Sequence, residues 1–347
     1  MIQRLHEMVR MAMALGACDL HLKTAFVPIV RVANTIERLE LPPVSPKELE
    51  ELVAHILDAK HRKIFTANGQ VDCSFQLGNT CRVRSNIFFQ RNSLAMSMRL
   101  VAPKPPELET LGFPKEIIDQ MLKLTRGLIL ITGATNSGKS TTAASIIHLL
   151  AKKESHHIIT IEDPIEFVFP RYKNSIVSQR QVGEDTPSFM TGLTSALRQD
   201  PDIVLIGEIR DQETVETCLK AAETGHLVLG TLHTSSAVQS ITRLINIFPS
   251  HQRDNIRFML SSSLKLVLSQ VLLPTLDHKS RVLAYEVLPM IASVCNLIRQ
   301  KKLHEIHSIL RLGQRSGCVP MNETVKNLIK TRQVQPDDVP EELLKER

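Results

Sequence analysis

"GLILITGATNSGKSTTAASIIHLL", residues 127–150, decides the fold. Its first six residues are apolar or small without the alternation of a half-exposed strand, so they are read as a strand buried on both faces. "TTAASIIHLL", 141–150, is read as a helix. Between the two, Gly133, Ala134, Thr135, Asn136, Ser137, Gly138, Lys139 and Ser140 carry the pattern G-x-x-x-x-G-K-[ST], and Thr141, the next residue, is a further candidate nucleotide contact. A strand before it and a helix after it are the setting that the pattern requires. Loop N–H groups at a helix N-terminus cradle phosphate, the lysine reaches the outer phosphates and the hydroxyl ligates a cation. The expected ligands are ATP and Mg²⁺, with Lys139 on the phosphates and Ser140 on the metal.

Apolar runs alternate with helical stretches on the C-terminal side: "HIITI" (157–161), "DIVLI" (202–206), "HLVLGTL" (226–232) and "RVLAYEVL" (281–288) as strands, "ETVETCLKAAETG" (213–225) as a helix. That order implies a mainly parallel α/β sheet. "SHQRDNIRFMLSSSLKLVLSQVLLP" (250–274) is expected to be one long helix from a Ser250 cap, with Ile256, Leu260, Leu264, Val267 and Val271 on one side. The remainder to Arg347 is expected to be helical, with breaks at Gly313 and Gly317.

Hydrolysis needs an acid beyond the loop, and ligands bind at the carboxyl ends of parallel strands. Two stretches offer one. "DIVLIGEIRD" places Glu208 after a buried strand, and "TIEDPIEF" places Glu162, Asp163 and Glu166 after another. Glu208 is the second candidate Mg²⁺ ligand. His226 and His233 flank a further strand, and His233 is a candidate sensor of the γ-phosphate.

The N-terminal part has another pattern. "IQRLHEMVRMAM" sets Ile2, Leu5, Val9 and Met13 on a helical stripe, and "SPKELEELVAHIL" begins with a Ser45 cap, Pro46 and a Glu48 capping box. "VDCSFQL" alternates strictly, turns at Gly78-Asn79, and is followed by the alternating "CRVRSNIFF" and "SLAMSMRLV". This is an α+β module with a meander that turns Arg82 and Arg84 outward. "APKPPELETLGFP" (102–114) then holds four prolines, which suits an extended joint. The expected domains are 1–101, a linker at 102–113, and 114–347.

A chain of 347 residues, 43% hydrophobic, suffices for two cores. Its six cysteines form no C-x-x-C pair or metal-spaced cluster, which points to a reducing compartment. No long uncharged apolar run occurs, so neither a signal peptide nor a membrane span is expected. The net charge of +6 is scattered, aromatic content is 4% and tryptophan is absent, so no stable nucleic-acid binding is expected.

Five stretches in order, "GATNSGKSTT", "ITIEDPIEF", "VSQRQVGEDTPSF", "ALRQDPDIVLIGEIRD" and "AAETGHLVLGTLHTSSA", resemble the Walker A, Asp-box, following strand, Walker B and His-box segments of the type II/type IV secretion ATPases. Within that superfamily the chain is most similar to the PilT-type pilus retraction ATPases. The resemblance implies a PAS-like first domain, a RecA-like second domain and a homo-hexameric motor working at the cytoplasmic face of the inner membrane. It implies contact with a pilus-machine platform protein, through which any membrane association would run. By the same resemblance Glu166 and Glu208 handle Mg²⁺ and water, with Arg210 beside them. His226 and His233 couple the site to the ring, and Arg82, Arg84, Arg91 and Arg99 are candidate arginine fingers. The chain departs from the family at Ala134 and Asn136, where "PTGSGKS" is usual, and at Cys295 and Gln300 in "SVCNLIRQ", a segment associated there with retraction.

Overall fold

The computed structural model describes residues 2–344 except 33–34, 79, 102–103, 279 and 314–315. The chain divides into two compact units, Met1–Lys104 and Pro105–Arg347.

The first unit runs α1 (Ile2–Ala14), β1 (Asp19–Lys23), β2 (Ile29–Val32), β3 (Thr35–Arg38), α2 (Pro46–Ile56), α3 (Ala59–Asn68), β4 (Gln70–Leu77), β5 (Cys81–Gln90) and β6 (Ser93–Val101). Its six strands form an antiparallel sheet ordered β3-β2-β1-β6-β5-β4. Alternation decides which face is buried: Val71, Cys73, Leu77, Cys81, Val83 and Ile87 join Leu5, Val9, Leu49 and Leu52 of the helices in one core. The α2 cap forms as its sequence implies. Ser45 Oγ accepts from the Glu48 N–H at 3.3 Å, and Glu48 Oε2 accepts from the Ser45 N–H at 2.8 Å. The Ser45 N–H and the Arg4 guanidinium hold the Glu48 carboxyl down at about 2. Ser45→Ala removes the cap and is expected to cost about 1 kcal/mol. The check is amide hydrogen exchange, which should quicken about five-fold across residues 47–56 and leave the second unit unchanged. Because the folded pKa of Glu48 is depressed, its contribution is present above the ordinary glutamate range and is lost as pH falls toward about 2.

The second unit runs α4 (Lys115–Leu122), β7 (Gly127–Thr132), α5 (Lys139–Lys153), β8 (His157–Glu162), β9 (Ile176–Gln181), α6 (Phe189–Ala196), β10 (Ile203–Ile206), α7 (Gln212–Glu223), β11 (Leu227–Leu232), α8 (Ala237–Asn246), α9 (Arg253–Ser263), β12 (Leu264–Pro274), β13 (Arg281–Pro289), α10 (Ala292–Arg299), α11 (Ile306–Leu312), α12 (Met321–Lys330) and α13 (Glu341–Leu344). Its sheet is ordered β13-β12-β7-β11-β10-β8-β9, and every pairing is parallel except that of the edge strand β13. Residues of β7, β10 and β11 are buried throughout, as continuous apolar strands between two helical layers should be.

Two expectations fail here. Residues 250–274 are not one helix: Ser250 lies in a short 3₁₀ turn without a side-chain cap, α9 ends at Ser263, and Leu264–Pro274 is a strand. The stretch from Leu264 is apolar almost throughout, and periodicity cannot separate such a run from a buried helix. What decides it is the tertiary setting, since β12 pairs with β7 on one edge and β13 on the other. Nor is the proline-rich stretch extended throughout. Leu108–Leu111 is a 3₁₀ turn, and Leu108 and Phe113 are buried in the second unit's core. Asn79 of the Gly78-Asn79 turn, and residues 102–103 of the joint, lie outside the described residues.

Candidate nucleotide site

The carboxyl ends of β7, β11, β10 and β8, neighbours in the sheet, place the functional side chains. The loop after β7 is held in shape by backbone angles that its residues permit. Gly133 and Gly138 have φ of +151° and +88°, and Asn136 has +63°. Asparagine tolerates left-handed angles, so Asn136 holds this conformation without a glycine. Gly133 is also a close approach, because a Cβ there would lie 2.4 Å from the Gln270 carbonyl oxygen and from Ser137 Oγ.

The resulting cleft, about 400 Å³, is lined by Lys139, Ser140, Glu166, Glu208 and His233 among others. Lys139 is buried, and its Nζ donates to the carbonyls of Gly133 at 3.0 Å and Ala134 at 2.8 Å. Burial lowers its pKa, while the Glu208 and Glu166 carboxylates act in the opposite direction. Glu208 is half-buried. Burial raises its pKa, but Arg210, with Nη2 at 2.6 Å, His233 and Lys139 together outweigh that and the net shift is downward. His233 joins two parts of the site: Nε2 lies 3.5 Å from Glu208 Oε1, and Nδ1 lies 3.5 Å from Thr135 Oγ1 in the loop.

The acids after β8 divide. Asp163 and Glu166 are exposed, and both line the cleft. Glu162 lines it too, but it accepts from Thr160 Oγ1 at 2.6 Å and Gln179 Nε2 at 3.1 Å, and burial pushes its carboxyl up. Its bonding ties β8 to β9. His226 stands apart. It precedes β11 while His233 follows it, so the two are about 23 Å apart at seven residue steps of strand rise. The His226 ring Nδ1 lies 3.1 Å from the Ala221 carbonyl at the end of α7, and its main-chain N–H bonds the same oxygen.

In the first unit, Arg84 and Arg99 are cross-strand partners and Arg82 lies two residues from Arg84 on the same face. Arg99 Nε donates to Asp19 at 3.0 Å. Arg91 is separated from them, at φ +48° in the turn between β5 and β6.

Three lining groups were not anticipated from sequence. Arg281, at the start of β13, donates to the Asn136 carbonyl at 3.3 Å. Thr231 Oγ1 donates to the Gly207 carbonyl, tying β11 to the turn that carries Glu208. Phe189 lies 5.9 Å under the Arg210 guanidinium. No local pattern marks these residues, because their place depends on strand order. Among the described residues no cluster of three His, Cys, Asp or Glu side chains could hold a metal by itself.

A phosphate loop between β7 and α5, a buried lysine, and carboxylates from two further parallel strands define a P-loop nucleotide-binding fold. The chain belongs to the Type II/IV secretion system protein family, which matches residues 1–340. It is 41% identical over 310 residues to the twitching motility protein of Neisseria gonorrhoeae, covering 89% of this chain and 82% of that one. It is 40% identical over 323 residues to the type IV pilus retraction ATPase PilT of Pseudomonas aeruginosa, covering 93% of each. A crystal structure of the pilus retraction motor PilT with bound ADP superposes with a TM-score of 0.88 and 44% identity, over 97% of each chain.

Proposed function

We propose that this chain is an ATP-hydrolysing motor that powers retraction of a type IV pilus, working as a homo-hexamer against an inner-membrane platform protein from the cytoplasmic side. The observation that supports it most is the convergence of Lys139, Ser140, Glu166, Glu208 and His233 on one cleft in a chain similar along its length to PilT. In this reading Lys139 neutralises the β- and γ-phosphates, and Glu166 orients the attacking water. The oxygen donors Ser140 and Glu208 suit Mg²⁺, which takes one or two carboxylates and completes its shell with phosphate and water. Bound there with nucleotide, the ion would neutralise charge developing on the phosphate oxygens. His233 senses the γ-phosphate between Glu208 and the loop, and His226 acts from the other end of β11 toward the ring. The PAS-like domain at 1–101 supplies Arg82, Arg84, Arg91 and Arg99 as candidate arginine fingers to nucleotide bound by a neighbouring subunit of the hexamer. The joint where the two units divide serves as the hinge between them.

Deletion with complementation tests the direction. Surface pili should accumulate without retracting, and loss of pili would assign the chain to assembly instead. For the arginines, Arg82→Ala and Arg84→Ala in the full chain should lower kcat, by about 10³-fold for a residue contacting the transferring phosphoryl group. Unchanged turnover in both would return them to a solvated strand face.

A further inference from the structure

Gln270 lies on β12 and is 1% exposed. Its Nε2 donates to the main-chain carbonyl of Ser137 at 2.8 Å, in a buried bond between residues far apart in sequence. The register of β12 sets Ser269 opposite Thr132, the last residue of β7, which brings Gln270 alongside the start of the phosphate loop. The fit is close on both flanks: a Cβ at Gly133 would lie 2.4 Å from the Gln270 carbonyl oxygen, and a Cβ at Gly138 would lie 3.2 Å from Nε2. Turned end over end, the amide would oppose its own oxygen to the Ser137 oxygen, two acceptors, so the bond fixes which end faces the loop.

A trans peptide points its C=O and its N–H in opposite directions. The Ser137 carbonyl and the Gly138 N–H belong to one peptide, so holding the carbonyl toward β12 turns that N–H away from β12. Gly138 lines the nucleotide cleft, whereas Ser137 is buried and does not. This peptide is also one that could rotate readily, since glycine carries no Cβ to restrict it. We propose that Gln270 is a positioning residue that locks the Ser137–Gly138 peptide so that the Gly138 N–H is presented to the β-phosphate of bound nucleotide. The assignment rests on the nucleotide reading of the cleft and deepens it, by placing a determinant of phosphate affinity on a strand outside the loop motif.

The test is calorimetric titration of the full chain with MgADP. Gln270→Met keeps the side chain's length and removes the donor, leaving a buried carbonyl unpaired, and should weaken MgADP by about tenfold. Gln270→Glu can donate only while its carboxyl is neutral, and burial raises the pKa of such a group. Its affinity should approach the parent's at about pH 5.5 and fall roughly tenfold by about pH 8. Tight binding by both parent and Gln270→Met would overturn the positioning role and leave the nucleotide site standing. A parent that does not bind MgADP would overturn the reading of the cleft itself. Should Gln270→Met fail to fold, Gln270→Leu, which also lacks the donor, takes its place, and parental MgADP affinity in that variant would overturn the proposal.

Discussion

Lys139→Ala should lower kcat/KM for MgATP by about 10²–10³-fold or more, the loss expected when one preorganised group aimed at developing charge is removed. Lys139 Nζ sits against two carbonyls of its own loop, Gly133 and Ala134, in a site that disfavours its charge by burial. A buried ammonium held by neutral dipoles has capacity for a stronger partner, and the phosphates of a nucleotide are that partner. Its attraction to them acts in a partly water-excluded cleft, where it is stronger than in bulk water. Lys139→Arg should not restore activity, because the guanidinium is a planar fork in a space shaped around a compact ammonium. Phosphate release at saturating and limiting MgATP separates the two parameters. Near-parental kcat/KM in Lys139→Ala would remove this cleft from the reaction.

The phosphate loop was legible in the sequence because all of its parts are local. Gly133, Gly138, Lys139 and Ser140 are fixed by one strand-to-helix connection, and the capping box at Ser45 and Glu48 is local in the same way. The carboxylates were legible for a related reason, since Glu208 and Glu166 follow strands whose apolar runs announce burial. The β12 strand was not. "LKLVLSQVLL" carries enough leucine and valine to satisfy either period, and only its two neighbours in the sheet make it a strand. Gln270, Arg281 and Thr231 were hidden by the same cause, because strand order rather than sequence distance brings the first to the loop and the other two to the cleft. The two histidines show the limit of motif spacing in the other direction. Seven positions apart, they bracket β11, so one meets Glu208 and the other closes the end of α7.

Glu208→Gln should keep MgADP affinity within a few-fold of the parent, since Gln still offers the ion an oxygen, while kcat falls by about 10²–10³-fold, the loss expected when a preorganised charge beside the reacting phosphate is removed. The substitution preserves the side chain's shape and an oxygen for the Arg210 guanidinium, and removes its charge. That charge is what the site maintains: Arg210, His233 and Lys139 overcome the burial that would otherwise favour the neutral carboxyl. Since the folded pKa is depressed, the carboxylate persists as pH falls through the ordinary glutamate range, and parental turnover should not be lost there through Glu208. In Glu208→Gln the Arg210 and Lys139 cations lose their counter-charge, so binding of a polyanionic nucleotide should not weaken even as turnover collapses. A drop in kcat with affinity retained would place Glu208 in the chemical step, whereas parallel losses of both would make it a structural support of the loop. Negligible and equal rates in parent and variant would sink the motor reading and leave a nucleotide-gated scaffold. The split between kcat and affinity therefore distinguishes a site that holds phosphate from one that cleaves it.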